Sequence, residues 1–302
     1  MKITFEIYYH TRWGESLFLS GDIDELGANE DNRAVMMDYQ GDGLWKYTME
    51  LPASAKKFHY EYLVKSGEGI RREWGSPHSF SPGKNAGEYR LVDRWRDVPA
   101  DLPFYSSAFI QGIFFRQHAD SVVETIEPGT LTVKVDASQL RPDERLVMVG
   151  DCPELGDWDV LKAPLLNDSA FPEWQITLDG KQLKFPFEYK FVIVRTHQRE
   201  VVAWETGENR ICREKPQNPS EAVVVSGLRF NGSESQWRGA GTAIPVFSLR
   251  SEAGFGVGEF HDLKLLIDWA AATGQRVLQL LPINDTTMNG TWEDSYPYNA
   301  NS

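Results

Sequence analysis

Short apolar runs broken by turn residues fill the first three-quarters of the chain, and several of them alternate. Leu131, Val133 and Val135 stand against Thr132 and Lys134, the period-two pattern of a strand with one buried face. Further runs at 145–149, 174–178, 187–194 and 222–225 are bounded by Asp, Gly, Pro and Asn clusters that supply turn chemistry. The pattern predicts an antiparallel β-sandwich. From about Arg238 the period changes. Residues 243–249 read as a strand, and a glycine-rich turn follows at 254–258. Next, 259–273 carries Phe260, Leu263, Leu266, Ile267 and Ala270 at helical spacing. Gly274 is a natural stop, and 276–283 is a nearly continuous apolar run of the kind buried on both faces of a parallel sheet. This stretch predicts a β-α-β unit.

The same landmarks occur twice. Gly21-Asp22, Leu26-Gly27 and Trp45 return as Gly150-Asp151, Leu155-Gly156 and Trp174, a step of 129 residues each time (21 to 150, 26 to 155, 45 to 174). Later landmarks read with a small drift, Glu61-Tyr62 as Glu188-Tyr189 and Trp74 as Trp204. A repeat of that length is a whole small domain. The expected organisation is two related sandwiches at 1–98 and 128–228, a connection at 99–127 and a third region at 237–302. The connection holds Phe104, Tyr105, Phe109 and Phe114-Phe115, too apolar for a free linker, and is expected to pack against one module. Trp45 and Trp174 lie inside strand patterns and read as core. Trp158 and Trp204 lie in polar, turn-rich loops and read as a binding surface.

Charge narrows the partners. The net charge of −13 repels nucleic acid phosphates and anionic lipid, whereas a neutral ligand feels no such penalty. With 10 Trp, 11 Tyr and 16 Phe, the chain is well supplied with flat rings on which the C–H faces of sugars pack. The first residues lack the apolar core of a signal peptide, no long charge-free run spans a membrane, and the expected location is cytoplasmic. Cys152 and Cys212 have no metal-like spacing and read as reduced and buried. The glycine turn at 254–258 lacks the residues of a nucleotide site, and its glycines read as serving a tight approach. No metal or organic cofactor is implied.

Four blocks of the second module occur in a telling order: 150–158 (Gly-Asp-Cys-Pro-Glu-Leu-Gly-Asp-Trp), 171–174 (Phe-Pro-Glu-Trp), 187–191 (Phe-Glu-Tyr-Lys-Phe) and 204–210 (Trp-Glu-Thr-Gly-Glu-Asn-Arg). With them the module resembles the starch-binding domains of carbohydrate-binding module family 20. The resemblance implies that Trp158 and Trp204 stack on adjacent glucose rings, while Lys190, Glu205 and Asn209 hydrogen-bond their hydroxyls. The first module departs from this pattern. Ala28-Asn29 follows Leu26-Gly27, Leu63 is read at the place of Lys190, and Trp74 is followed by Gly75-Ser76-Pro77. One stacking ring, Trp74, is then expected to remain, and this module either binds sugar weakly or is mainly structural.

In the third region the carriers are 237–241, 244–251, 254–260, 262–264, 274–276, 279–286 and 294–298, the last reading Asp-Ser-Tyr-Pro-Tyr. They resemble the opening of the catalytic domain of glycoside hydrolase family 77, the 4-α-glucanotransferases, and in particular the plant cytosolic branch that carries two starch-binding modules ahead of its barrel. The resemblance implies two immunoglobulin-like sandwiches followed by the first β-α-β unit of a (β/α)8 barrel. It also implies transfer of glucosyl units between maltose or maltodextrins and a glucan acceptor by retaining double displacement, which suits two carboxylates about 5–5.5 Å apart. The family's catalytic carboxylates come from later strands, so the catalytic residues are expected beyond Ser302, and residues 1–302 are expected to bind glucan without turning it over. Ser295 and Tyr298 match a loop that contacts substrate and are candidate binding residues. The expected partners are α-1,4-glucans: starch, glycogen, maltodextrins and maltose. A non-catalytic starch- or glycogen-binding protein is the alternative reading.

Overall fold

The computed structural model describes residues 1–52, 54–83, 87–114, 126–232 and 237–283. The first module is built from β1 (Lys2–Tyr8), β2 (Ser16–Gly21), β3 (Val35–Met36), β4 (Asp38–Gly41), β5 (Leu44–Glu50), β6 (Phe58–Ser66), β7 (Gly69–Arg72), β8 (His78–Phe80) and β9 (Glu88–Arg94). The second has β10 (Thr130–Asp136), β11 (Glu144–Gly150), β12 (Asn167–Ala170), β13 (Glu173–Asp179), β14 (Phe187–Arg195), β15 (Val201–Trp204), β16 (Arg210–Cys212) and β17 (Glu221–Arg229). The repeated residues explain themselves in both copies. A Cβ on Gly21 would lie 2.6 Å from the His59 carbonyl oxygen, and one on Gly150 would lie 2.4 Å from that of Glu188. The aspartate that follows each glycine accepts the N–H of the same neighbouring residue, His59 for Asp22 and Glu188 for Asp151. Gly27 and Gly156 close a short 3-10 turn at φ +88° and +81°, where a side chain is unfavourable. Trp45 and Trp174 are core, as their strand patterns predict. Each donates its indole N–H to a backbone carbonyl, Tyr9 at 3.0 Å and Ala137 at 2.9 Å.

The two modules are not separate beads. Among the described residues one sheet runs through both, in the order β12-β13-β10-β17-β9-β1-β5-β4, with β17 and β9 paired side by side. Each module completes its sandwich with a sheet of its own, β3-β2-β6-β7 with β8 beside β6, and β11-β14-β15 with β16 beside β14. Pairing is mixed, unlike the antiparallel expectation: β1 with β9, β9 with β17 and β17 with β10 run parallel. These are the first and last strands of each module, which lie side by side and point the same way. Strand β17 serves both cores. Val223 and Val225 belong to the second, while Ala222 and Val224 belong to the first, and alternation puts the two sets on opposite faces. The junction is sealed by polar contacts. Arg90 on β9 donates to Glu221 on β17 at 3.2 Å and to the Lys215 carbonyl at 2.6 Å. Ser226 donates to Asp93 at 2.6 Å and lies 3.0 Å from Nδ1 of His78. Tyr60 and Tyr62 both donate to Asp93, at 2.8 and 2.7 Å.

Two carboxylates beside this junction respond to acid in opposite senses. Burial, then the neighbouring charge of Glu173, raises Asp136 to about 6, and the opposing charges of Arg96, Arg229 and His78 do not offset this. Burial also works to raise Glu73, but the charges and hydrogen bonds of His78 and Arg96 outweigh it and hold the group at about 2. The folded chain therefore holds a proton on Asp136 that the unfolded chain releases from 3.8 upward. The resulting cost is absent below that value and complete above pH 6, up to about 3 kcal/mol. Glu73 contributes stability above its ordinary value of 4.5, lost as pH falls through about 2. Asp136→Asn is expected to raise the melting temperature at pH 7.5 and to leave it unchanged near pH 4. Calorimetric scans at the two pH values check this; an equal shift at both would exclude a titration effect.

The described part of the connection, residues 99–114, contacts both modules, where packing against one was expected. A 3-10 turn at Leu102–Tyr105 and a wide turn at Ala108–Ile113 gather Phe104, Phe109 and Phe114, with Phe114 buried. Tyr105 meets Trp74 of the first module edge-on at 5.0 Å, and Asp101 accepts from Gln139 of the second at 2.7 Å.

The described residues 237–283 belong to a second compact unit. Its β18 (Gly241–Ile244) and β19 (Val277–Leu280) are parallel, with α1 (Asp262–Ala272) between them in the chain, the expected β-α-β unit. The first strand ends earlier than predicted because Pro245 has no N–H to continue the ladder, and Val246–Ser248 turn as a 3-10 helix. Leu266 and Ala270 are buried, while Ile267 and Leu280 stay exposed. A Cβ on Gly258 would sit 1.9 Å from the Val246 carbonyl oxygen, so this glycine does serve a tight approach.

Candidate sugar-binding face

The loop after β11 does two demanding things with its backbone. Asp157 and Trp158 both adopt left-handed conformations, at φ +50° and +65°, and the Trp158 N–H donates to the Gly150 carbonyl at 2.7 Å. The first module repeats this loop with Ala28 and Asn29 at φ +53° and +64°, and Asn29 N–H donates to Gly21 at 2.7 Å. Asparagine tolerates that conformation, whereas a bulky aromatic residue adopts it at a cost. Tryptophan is therefore present at 158 for its ring. The half-buried ring lies over Val147, Val149, Val160, Ala163, Val192 and Val194, an apolar cluster on the outer face of β11 and β14.

Strand pairing puts the other candidates on that face. Trp204 lies directly across from Val192, and directly paired residues share a side of the sheet. Its ring is 42% exposed. Lys190 precedes Val192 by two residues and also points outward, with Nζ donating to the Glu205 and Gly207 carbonyls at 3.1 and 2.6 Å. Asn209 donates Nδ2–H to Glu188 at 2.8 Å, and both side chains are exposed. Trp158, Lys190, Trp204 and Asn209 thus share one surface, joined by Glu188, which the sequence reading passed over.

Glu205 does not join them. It follows Trp204, so its side chain turns inward and is buried at 3% exposure. The carboxylate accepts both Nε and Nη2 of Arg210, with Nε at 2.9 and 3.1 Å. It also accepts the N–H groups of Asn231 and Phe191 at 3.2 and 3.4 Å. No lone pair is left facing sugar. Only the Glu205 backbone carbonyl reaches the outer side, where it holds Lys190.

The first module presents a different surface at the matching place. Tyr60 pairs with Gly21 as Tyr189 pairs with Gly150, so the step of 129 residues persists through β6 and β14 without drift. Glu61 then matches Lys190, and Leu63 matches Val192. Leu63 pairs with Arg72, which makes Arg72, not Trp74, the counterpart of Trp204. The next residue agrees: Glu73 exchanges hydrogen bonds with Tyr62 as Glu205 does with Phe191. Trp74 corresponds to Thr206 and is occupied elsewhere. Its ring is met by Tyr105, and the Arg229 guanidinium lies 5.5 Å from its centroid. Where the second module has tryptophans, the first has Asn29 and an Arg72 paired with Glu61 and Asp31. The sequence reading was misled by a Glu-Tyr pair that recurs at the wrong spacing. The 129-residue step was the signal to follow through β6 and β14; beyond the hairpin it becomes 132 (72 to 204), because the β14–β15 turn is three residues longer than the β6–β7 turn.

Ser295 and Tyr298 lie outside the described residues. Among the described residues no group of three or more His, Cys, Asp or Glu is arranged to hold a metal ion, and no helix is long and apolar enough to cross a membrane. Both cysteines are buried and free, and burial first of all pushes their thiols up, to about 11 for Cys152 and about 12 for Cys212.

Two families match this chain. The starch binding domain family matches residues 1–86 and 130–223, and the 4-alpha-glucanotransferase family matches residues 244–302. The 4-alpha-glucanotransferase DPE2 of rice (Oryza sativa subsp. japonica) is 34% identical over 99% of this chain and 33% of its own length. The chain thus spans about a third of that relative. Shorter matches reach 4-alpha-glucanotransferases of Chlamydia pneumoniae, 38% identical over 26% of this chain and 15% of that protein, and Chlamydia trachomatis serovar D, 45% identical over 20% and 10%.

Proposed function

This chain belongs to the starch binding domain family through both of its modules, and on that premise we propose that the second module grips α-1,4-glucan on the face of Trp158 and Trp204. The observation that carries the reading is the sharing of one sheet face by the half-buried Trp158 and the exposed Trp204, with Lys190 and Asn209 beside them. Helical α-glucans offer successive rings to two such planes, and the amine and amide orient the hydroxyls. Each ring contributes about 1–2 kcal/mol through buried apolar area. The first module, with charged pairs at the matching place, acts mainly as a structural partner. Its one fully exposed large ring, Trp13, lies on a different loop and supplies at most a weak contact.

The longer protein to which the 4-alpha-glucanotransferase match points is proposed to be a cytoplasmic enzyme that transfers glucosyl units between maltose or maltodextrins and a glucan acceptor. The modules then raise the local concentration of a large glucan at the active site. Titration of β-cyclodextrin by calorimetry tests the sugar face. Wild type is expected to bind in the micromolar to low millimolar range. Trp158→Ala/Trp204→Ala is expected to bind roughly 30- to 1,000-fold more weakly, the loss of both rings. Unchanged affinity in the double variant would rule this face out.

A further inference from the structure

Loop 157–163 carries Trp158 in a costly backbone conformation, and something outside the loop must hold it there. Leu161 N–H donates to Asp159 Oδ1 at 3.0 Å, and Lys162 and Ala163 N–H groups donate to the Asp159 carbonyl at 2.9 and 3.0 Å. These contacts shape the loop but do not tie it to the sheet. The near end is tied to β11 by the Trp158 N–H on the Gly150 carbonyl, and just past the far end Met148 N–H donates to the Pro164 carbonyl at 3.2 Å. The stretch between, 160–163, is tied by the hairpin between β14 and β15. There the Nη1 of Arg199 donates to the carbonyls of Leu161 at 2.9 Å and Ala163 at 2.7 Å, with that of Val160 at 3.5 Å. Arg199 itself sits at φ +50°, a conformation for which turns ordinarily use Gly or Asn. Its side chain, half-buried against the loop, is what the position gains in return.

We infer that Arg199 is the positioning residue of the sugar face: it clamps the far end of the Trp158 loop onto the β14–β15 hairpin, so that the first indole is fixed in register with Trp204, which lies on the same hairpin. One guanidinium links the carriers of both rings. The first module supports the comparison. Its β6–β7 hairpin has only Gly67 and Glu68 between the strands, its loop carries Asn29 instead of tryptophan, and the loop is tied by Lys65 donating to the Asp31 carbonyl. The clamp thus occurs with the ring it serves. A loop released from Arg199 must be reordered when sugar binds, and such ordering weakens affinity without removing any contact to the ligand.

The inference rests on the proposed sugar face, and the test separates the two. Binding of β-cyclodextrin to the full chain is followed by calorimetry and by the indole N–H signal of Trp204, for wild type, Arg199→Ala and Arg199→Lys, and for Arg199→Ala combined with Trp158→Ala. Amide exchange is measured in parallel. Arg199→Ala is expected to weaken binding about three- to tenfold, with faster exchange at 160–163 and unchanged protection of 187–194. Arg199→Lys recovers part of the affinity, and adding Arg199→Ala to Trp158→Ala costs nothing further. Wild-type affinity in Arg199→Ala overturns the inference, as does an equal loss in the Trp158→Ala background or a general loss of protection in β14. If wild type itself does not bind, the sugar face fails first, and that is read from the wild type alone.

Discussion

Glu205→Ala is expected to destabilise the chain by about 3–5 kcal/mol and to abolish β-cyclodextrin binding, although this carboxylate faces away from the sugar. Removing it leaves the Arg210 guanidinium, whose side chain is 24% exposed, without a counter-charge and held only by the Arg229 carbonyl at 2.7 Å, and leaves two backbone N–H groups without this acceptor. Because Arg210 is within reach of water, the cost falls toward the lower end of that range. The loss of binding follows from connectivity. Arg210 starts β16, Asn209 precedes it, and the carbonyls that hold Lys190 belong to Glu205 and Gly207. When the ion pair goes, the whole turn that presents polar groups to the sugar loses its anchor. Urea unfolding and calorimetric titration of the same variant measure the two effects. A loss below 1 kcal/mol with intact affinity would mean that the turn is held by other contacts.

Gly227→Ala is expected to cost about 3 kcal/mol or more and to loosen both modules at once. Gly227 lies at φ +74° in β17, next to the irregularity in its pairing with β10, and a Cβ there would stand 2.4 Å from the backbone oxygen of Arg94 on β9. The left-handed conformation accounts for about 1–2 kcal/mol. The rest is a clash with main chain, which no side-chain rotation relieves, so β17 must draw back from β9. Gly14→Ala is the control: it has nearly the same φ, +83°, and open space around it. Amide exchange resolves the prediction. Faster exchange in β1 as well as β10 fits a shared junction; faster exchange in β10 alone would leave the first module independent.

Much of this was legible in the residues, and what was not has physical reasons. Gly-Asp, Leu-Gly and the core tryptophans announce themselves because each is forced by a close approach, a positive φ or an indole N–H in need of a carbonyl. The indole at 158 is legible as surface because Asp157 and Asp159 flank it; Trp204 was read as a loop residue from the polar stretch that follows it, whereas it closes β15 after Val201, Val202 and Ala203 and reaches the surface through its side of the strand. Glu205 was misplaced because a motif fixes order but not side: one residue along a strand turns a side chain from solvent to core. Trp74 was misplaced because aromatic identity was matched instead of register. The joined sheet had a signature in Val223-Val224-Val225, a run apolar on both faces, which a single sandwich with one wet face does not need. Arg199 was out of reach, since its role depends on three carbonyls about 40 residues away in the chain.

The pairing of β9 with β17 also sets what recombination and truncation can do with these modules. Cut near residue 98, the first module would present β9 as a bare edge, its row of peptide groups open and Val92 uncovered, while the remainder would present β17 with Ala222 and Val224 in water. Such edges recruit other chains. A module taken alone would need a charge, a proline or a bulge to blunt the strand left behind.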